Sequence, residues 1–243
     1  MSDRSSDQNF VDRNVVVVGG SHGIGLAIVQ RLILRGAAVT VLSRQASALA
    51  GFEGVRHIAI DVTAQEFATE SLPERIDGLV YCPGSINLGM FRSVKVDTMR
   101  EDFELNVIGA VKVIQAALPN LKLSPAASIV LFSTVAVGLG LPMHTSVAAA
   151  KGAVEGVMRS LAAELAPKIR VNCLAPALVD TPLSERLLSS DKKREAMSEV
   201  YPLKRVGNVD DIAAMAELLL SDQGSWITGQ VIGIDGGLSR VRG

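Results

Sequence analysis

Three glycines, Gly19, Gly23 and Gly25, keep the spacing G-x-x-x-G-x-G in VVVVGGSHGIGLAI, between a valine-rich run and an amphipathic one. Backbone N–H groups at a helix N-terminus reach a pyrophosphate closely only where no side chain intervenes, so the spacing points to a dinucleotide. At the end of the next apolar run stand Ser43 and Arg44. A carboxylate there would accept from a ribose 2′-hydroxyl and repel a 2′-phosphate. A hydroxyl beside a planar guanidinium suits a phosphate monoester instead, so NADP(H) is the expected cofactor. Hydride transfer from a nicotinamide to a carbonyl creates an oxyanion that donors must hold or protonate. The stretch PMHTSVAAAK carries groups near that task. Val147 lies one helical turn before Lys151 and has no proton to give. His144 lies two turns before it, on the same face if helical geometry extends that far, and imidazolium is a competent acid near neutral pH. Ser146 is the other hydroxyl nearby, too weak an acid without help.

These residues need elements to hold them. Apolar runs of strand length occur at 15–18, 38–42, 56–60, 78–81, 128–132, 170–174 and 231–234, most of them continuous in Val, Ile and Leu. Continuity without alternation is what a strand covered on both faces requires. Helical patterns fall between them, at 24–35, 64–70, 98–118, 147–166, 183–200 and 209–220. The alternation predicts an α/β fold, a doubly wound parallel sheet of about seven strands with helices on both faces. The 243 residues suffice for one such domain. With 24 basic and 25 acidic residues and no basic block, nothing favours nucleic acid as a partner. Cys82 and Cys173 are far apart among apolar neighbours, so two buried thiols are expected, with no metal cluster. A polar start and no apolar run of about 18 residues argue against a leader or a membrane span and for a cytoplasmic protein.

The phosphate loop, Asn106 in ELNVIGA, Lys151, APALVDT (175–181) and ITGQ with IDGG near the C-terminus together resemble the short-chain dehydrogenase/reductase family, over roughly residues 12–238. The resemblance implies a single-domain Rossmann-like fold. It places Ser21, His22 and Ile24 with the glycines at the phosphates, His22 where many NADP-dependent members carry a basic residue. Asp61 and Val62 fall at the adenine. Gly84 is the retained glycine of a segment in which Tyr81, Cys82 and Pro83 depart from the family pattern. Pro176, Val179 and Thr181 match the segment that holds the nicotinamide carboxamide, with Ala177 replacing its usual glycine. Lys151 matches the lysine on the nicotinamide ribose, Asn106 the asparagine that kinks a helix to hold a relay water, and Thr134 the catalytic serine. Ser133 would face away from the site if its strand continued so far. The family's tyrosine position is Val147, but a divergent enoyl-reducing branch has tyrosine seven before the lysine, where this chain has His144.

The expected protein is an NADP(H)-dependent oxidoreductase that transfers hydride to or from a small carbonyl, alcohol or enoyl substrate. His144 would donate the proton, Thr134 bind the substrate oxygen, and Lys151 and Asn106 hold cofactor and water. The alternative, favoured by Val147, is a catalytically inactive NADP(H)-binding protein that serves as a sensor or partner. Residues 1–9 would form a disordered tail and 10–243 the NADP(H)-binding domain. The long stretch 177–203, with its charged run Asp191 to Glu195, would lie over the substrate as a lid. The resemblance also implies a homodimer or homotetramer built on the two long helices.

Overall fold

The computed structural model describes residues 10–49, 51–64 and 71–241. The tail expected at 1–9, and all but the first residue of the helix expected at 64–70, lie outside the described residues. Strands β1 (Asn14–Val18), β2 (Ala38–Ser43), β3 (Val55–Ala59), β4 (Gly78–Tyr81), β5 (Ala127–Phe132), β6 (Ile169–Pro176) and β7 (Val231–Ile234) form one sheet. Its order is β3-β2-β1-β4-β5-β6-β7 and every pairing is parallel. This is the doubly wound Rossmann-like sheet that the pattern predicts.

Continuous apolar strands feed two cores. Val16 and Val18 of β1 join Val113, Ala117, Val154 and Met158 on one face. Val15 and Val17 join Ile28, Leu32, Ala216 and Leu219 on the other. The first face is covered by α3 (Gly109–Leu121) and α5 (Thr145–Leu165), the second by α1 (Gly23–Leu34) and α7 (Val209–Leu220). A side-chain period of two sends alternate valines of one strand to opposite layers, so each must be apolar. Strand order reverses between β1 and β4, which opens a crevice at the carboxyl ends of the strands.

Two expected helices are interrupted. The one at 98–118 is α2 (Val96–Phe103), a π-helical turn over Glu104–Ile108, and then α3. The one at 183–200 is a 3₁₀ turn at Pro182–Ser184 followed by α6 (Asp191–Val200). The Ser190 hydroxyl accepts from Lys193 N–H and so starts α6 late, while a capping box between Thr181 and Ser184 closes the earlier turn. A short helix, α4 (Ala136–Leu139), follows β5.

The glycine loop links β1 to α1. Gly19 and Gly23 have φ of +73° and +52°, in the left-handed region that favours glycine. Gly25 is helical, but a Cβ there would lie well under 3.0 Å from the Gly19 carbonyl oxygen. Alanine is the better helix former by about 1 kcal/mol, yet the obstacle is backbone and cannot rotate away. Gly25→Ala is therefore expected to lower stability by about 1–3 kcal/mol. Chemical denaturation checks this, and a midpoint equal to wild type would show that the loop yields freely.

Candidate active site

The crevice has two chambers that meet at Gly84. The larger, about 690 Å³, is lined by Gly19, Ser21 and His22, by Ser43 and Arg44 after β2, by Asp61 and Val62 after β3, and by Gly84 after β4. The smaller, about 160 Å³, is lined by Ile24, Gly84, Ser85, Ser133, Thr134 and Lys151, with Pro176, Val179 and Thr181 after β6. Gly23 and Gly25 complete the loop below; the nearest atoms to a Cβ at Gly23 would belong to Thr181.

The larger chamber suits an anionic, elongated ligand. His22 stands at the N-cap of α1, but its side chain bonds no helical N–H; its Nδ1 lies 2.9 Å from Ser21 Oγ instead. The first-turn N–H groups are thus left for an anion. Ser43 Oγ donates to the Gln45 carbonyl at 2.8 Å and lies 3.0 Å from His57 Nε2. Arg44 is exposed beside it. Asp61 accepts from Thr63 N–H at 3.0 Å and from the Thr63 hydroxyl at 2.7 Å, which holds its carboxyl below the usual carboxylate range.

At the inner end, Lys151 on α5 is only 7% exposed. Burial pushes its ammonium down to about 8, countered in part by Cys173, Cys82 and Asp102. Asn106 sits in the π turn. Its Nδ2 donates to the Asp102 main-chain carbonyl at 2.7 Å and to Ser85 Oγ at 3.2 Å. Its Oδ1 is buried without a partner among the described residues. A Cβ on Gly84 would stand 3.2 Å from both Asn106 Oδ1 and Lys151 Nζ. One acceptor and one cation therefore converge where Gly84 has no side chain.

The phenol of Tyr81 does not reach that point. It donates to the Leu105 carbonyl of the π turn at 2.6 Å, and burial raises it above the usual tyrosine range. A Cβ on Gly109 would collide with this hydroxyl, so the glycine makes room for the strut. Thr134 Oγ1 accepts from Ala136 N–H at 3.3 Å, which leaves its own hydrogen for the chamber. β5 ends at Phe132, so the alternation that would turn Ser133 away does not extend to it. Both hydroxyls border the smaller chamber, and Ser133 Oγ also donates to Glu155 at 2.7 Å. Val147 is buried in the first turns of α5. His144 is the half-buried N-cap of that helix, with Nδ1 2.7 Å from the Pro142 carbonyl, and does not appear among the lining residues of either chamber. Of the two thiols expected to be buried, only Cys173 is; Cys82 borders the smaller chamber, though burial still pushes it up to about 12. Ser85 and Asp102, which sequence reasoning passed over, meet here from positions seventeen residues apart, a separation without a local signal.

A family model described as enoyl-(acyl carrier protein) reductase matches residues 18–239. The chain belongs to the short-chain dehydrogenase/reductase family. It is 30% identical over 233 residues to the 3-oxoacyl-[acyl-carrier-protein] reductase MabA of Mycobacterium tuberculosis, covering 94% of each chain. A short-chain type dehydrogenase/reductase from Mycobacterium ulcerans superposes with a TM-score of 0.88 at 32% identity, covering 97% of this chain and 92% of that one. The NADP complex of Pseudomonas aeruginosa RhlG superposes with a TM-score of 0.88 at 28% identity, over 97% and 99% of the two chains. This short-chain dehydrogenase/reductase is thus an oxidoreductase of a family that uses nicotinamide cofactors on small molecules. Its glycine cradle, open helix N-terminus and unpartnered Asn106 Oδ1 fit such a cofactor. No helix among the described residues is long and apolar enough to cross a membrane.

Lys151 also carries a stability cost. Its folded value of about 8 lies below the ordinary 10.5, so the fold disfavours the charged form. That cost is complete below about pH 8 and fades as pH rises toward 10.5. Lys151→Met is expected to stabilise the cofactor-free protein at pH 7 by about 3 kcal/mol while abolishing turnover. Urea denaturation at pH 7 and pH 10 reads the difference. A gap that does not narrow at the higher pH would show that the ammonium is not the cause.

Proposed function

We propose that the protein is an NADP(H)-dependent oxidoreductase that moves hydride to or from a small carbonyl, alcohol or enoyl substrate. The convergence of Lys151 Nζ and Asn106 Oδ1 at Gly84, between the two chambers, carries this reading. The NADP and NADPH complexes of similar proteins support the phosphorylated cofactor. The bound nicotinamide supplies the hydride donor or acceptor. The rest is done by the chain. First-turn N–H groups of α1 hold the pyrophosphate beside Ser21, His22 and Ile24, and Arg44 with Ser43 holds the 2′-phosphate. Asp61 and Val62 flank the adenine. Lys151 takes the ribose hydroxyls, and Pro176, Val179 and Thr181 orient the carboxamide. Thr134 donates to the substrate oxygen, and Asn106 Oδ1 accepts from a water or hydroxyl placed over Gly84. Residues 177–203 form a lid, and α3 and α5 form the contacts of a cytoplasmic homodimer or homotetramer.

For the proton, the register of α5 proposes His144. The Pro142 carbonyl can only accept, so Nδ1 carries a hydrogen and Nε2 can donate only in the imidazolium form. His144→Ala decides the matter: lost turnover retains the histidine, and unchanged turnover with an unchanged pH profile assigns the proton elsewhere.

NADPH fluorescence titration and turnover on a panel of ketones, aldehydes, enoyl thioesters and alcohols test the whole reading. Binding without turnover on any of them would favour the inactive alternative that Val147 suggests. Arg44→Ala is expected to weaken NADPH about 10- to 100-fold while sparing NADH, the effect of losing a charged hydrogen bond of about 1.5–3 kcal/mol. Equal losses for both cofactors would remove Arg44 from the 2′-phosphate.

A further inference from the structure

Asp102 is buried to 1% exposure on α2, one turn before Asn106, and no step above uses it. Its carboxylate is met by hydroxyls and an amide rather than by a cation. Ser85 Oγ donates to Oδ1 at 2.5 Å, Asn87 Nδ2 donates to Oδ1 at 2.7 Å, and Ser146 Oγ donates to Oδ2. Ser146 directly precedes Val147, so this carboxylate lies against the turn of α5 that lacks a phenol. Ser85 is the member of the cluster that borders the smaller chamber, beside Thr134 and Lys151. Its oxygen accepts from Asn106 Nδ2 and donates to Asp102. A serine oxygen has two acceptor sites, so one is left for a donor in the chamber.

We propose that Ser85, backed by the Asp102 carboxylate, is the catalytic hydroxyl that carries the substrate's proton in this site. The proposal rests on the oxidoreductase reading and replaces His144 in its proton step. In alcohol oxidation the substrate O–H donates to the free site of Ser85 Oγ. As the hydride leaves the carbinol carbon for the oxidised nicotinamide, the substrate proton passes to Ser85 Oγ and the hydroxyl's own proton passes to Asp102 Oδ1. A carbonyl, a serine hydroxyl and a carboxylic acid result. Reduction runs the same path backwards from the protonated carboxyl. Serine alone is too weak a base for this, and the adjacent carboxylate supplies the missing basicity. Lys151, whose Nζ comes beside Asn106 Oδ1 at Gly84, lines the same chamber as Ser85.

The test uses the full chain, with Ser85→Ala, Ser85→Thr and Asp102→Asn beside wild type. Aspartate carboxyl ¹³C resonances are recorded, Asp102 being assigned by its absence from Asp102→Asn. The expected result is a carboxyl chemical shift for Asp102 displaced from wild type in Ser85→Ala, since the variant removes a hydrogen bond to Oδ1. Turnover on the alcohol and ketone panel should fall about 100-fold or more in Ser85→Ala. KM and NADPH affinity should stay within about threefold, which separates lost chemistry from lost binding. Ser85→Thr, which keeps the hydroxyl, should restore most of the rate and the wild-type pH profile. An Asp102 resonance indifferent to Ser85→Ala overturns the proposal, as does turnover that depends on His144 and not on Ser85. A wild-type protein that fails to bind NADPH overturns the oxidoreductase reading instead, while the resonance still reports on the pair.

Discussion

Burying one ammonium group sets the terms for everything around it. Lys151 sits under the carboxyl edge of the sheet, where a charge removed from water costs several kcal/mol unless other groups answer it. The groups that counter this are Cys173, Cys82 and the Asp102 carboxylate, while Asn106 Oδ1 comes in beside the ammonium at Gly84; Asp102 is on α2 and Asn106 on the π turn that joins α2 to α3. That segment and α5 must therefore press together across the end of β4. Gly84 is where they meet, and even a methyl group there would crowd both Lys151 and Asn106. The glycine is required by the charge behind it as much as by any ligand in front of it.

The same demand explains the π turn. A helix that takes an extra residue into one turn loses the regular partners of its carbonyls, and buried carbonyls need others. Here side chains supply them: Tyr81 meets Leu105, and the Asn106 amide meets Asp102. With its N–H₂ group committed to Asp102 and Ser85, Asn106 leaves Oδ1 unpartnered beside Gly84. The departure of Tyr81 from the family pattern thus has a local reason. Its ring fills the end of β4, its hydroxyl props the turn, and Gly109 gives it space.

The glycine loop, the seven strands and Lys151 were legible because their signals are local: positive φ, close backbone approach, apolar continuity and helical register. Ser43 and Arg44 were legible for the same reason, since a strand end fixes where they stand. The resemblance marked a kink at Asn106, but nothing local marked the Tyr81 phenol of β4 that meets the Leu105 carbonyl there. Nor was the role of Ser133 legible, since its facing depended on whether β5 ran one residue further. The break before α6 was written in Ser189–Ser190, but the charged run after it reads as helix and hides the cap. The Asp102 cluster drew on residues 15 to 44 positions away, so nothing nearby marked it.

Val147 alone suggests a scaffold that binds a nucleotide and does nothing with it. The energetics of its neighbours weigh against so simple a reading. A nucleotide scaffold has use for Lys151 on a ribose, but a ribose asks for no buried aspartate one turn before Asn106. Asp102 does tie together the loop after β4, α2 and the head of α5 through Ser85, Asn87 and Ser146. Apolar packing could join those segments at lower cost, since replacing buried ionic groups by well-packed hydrophobic ones is often neutral or stabilising by about 1–4 kcal/mol. A carboxylate that accepts from a hydroxyl facing the smaller chamber offers what packing lacks, a polar link between that chamber and three segments of chain.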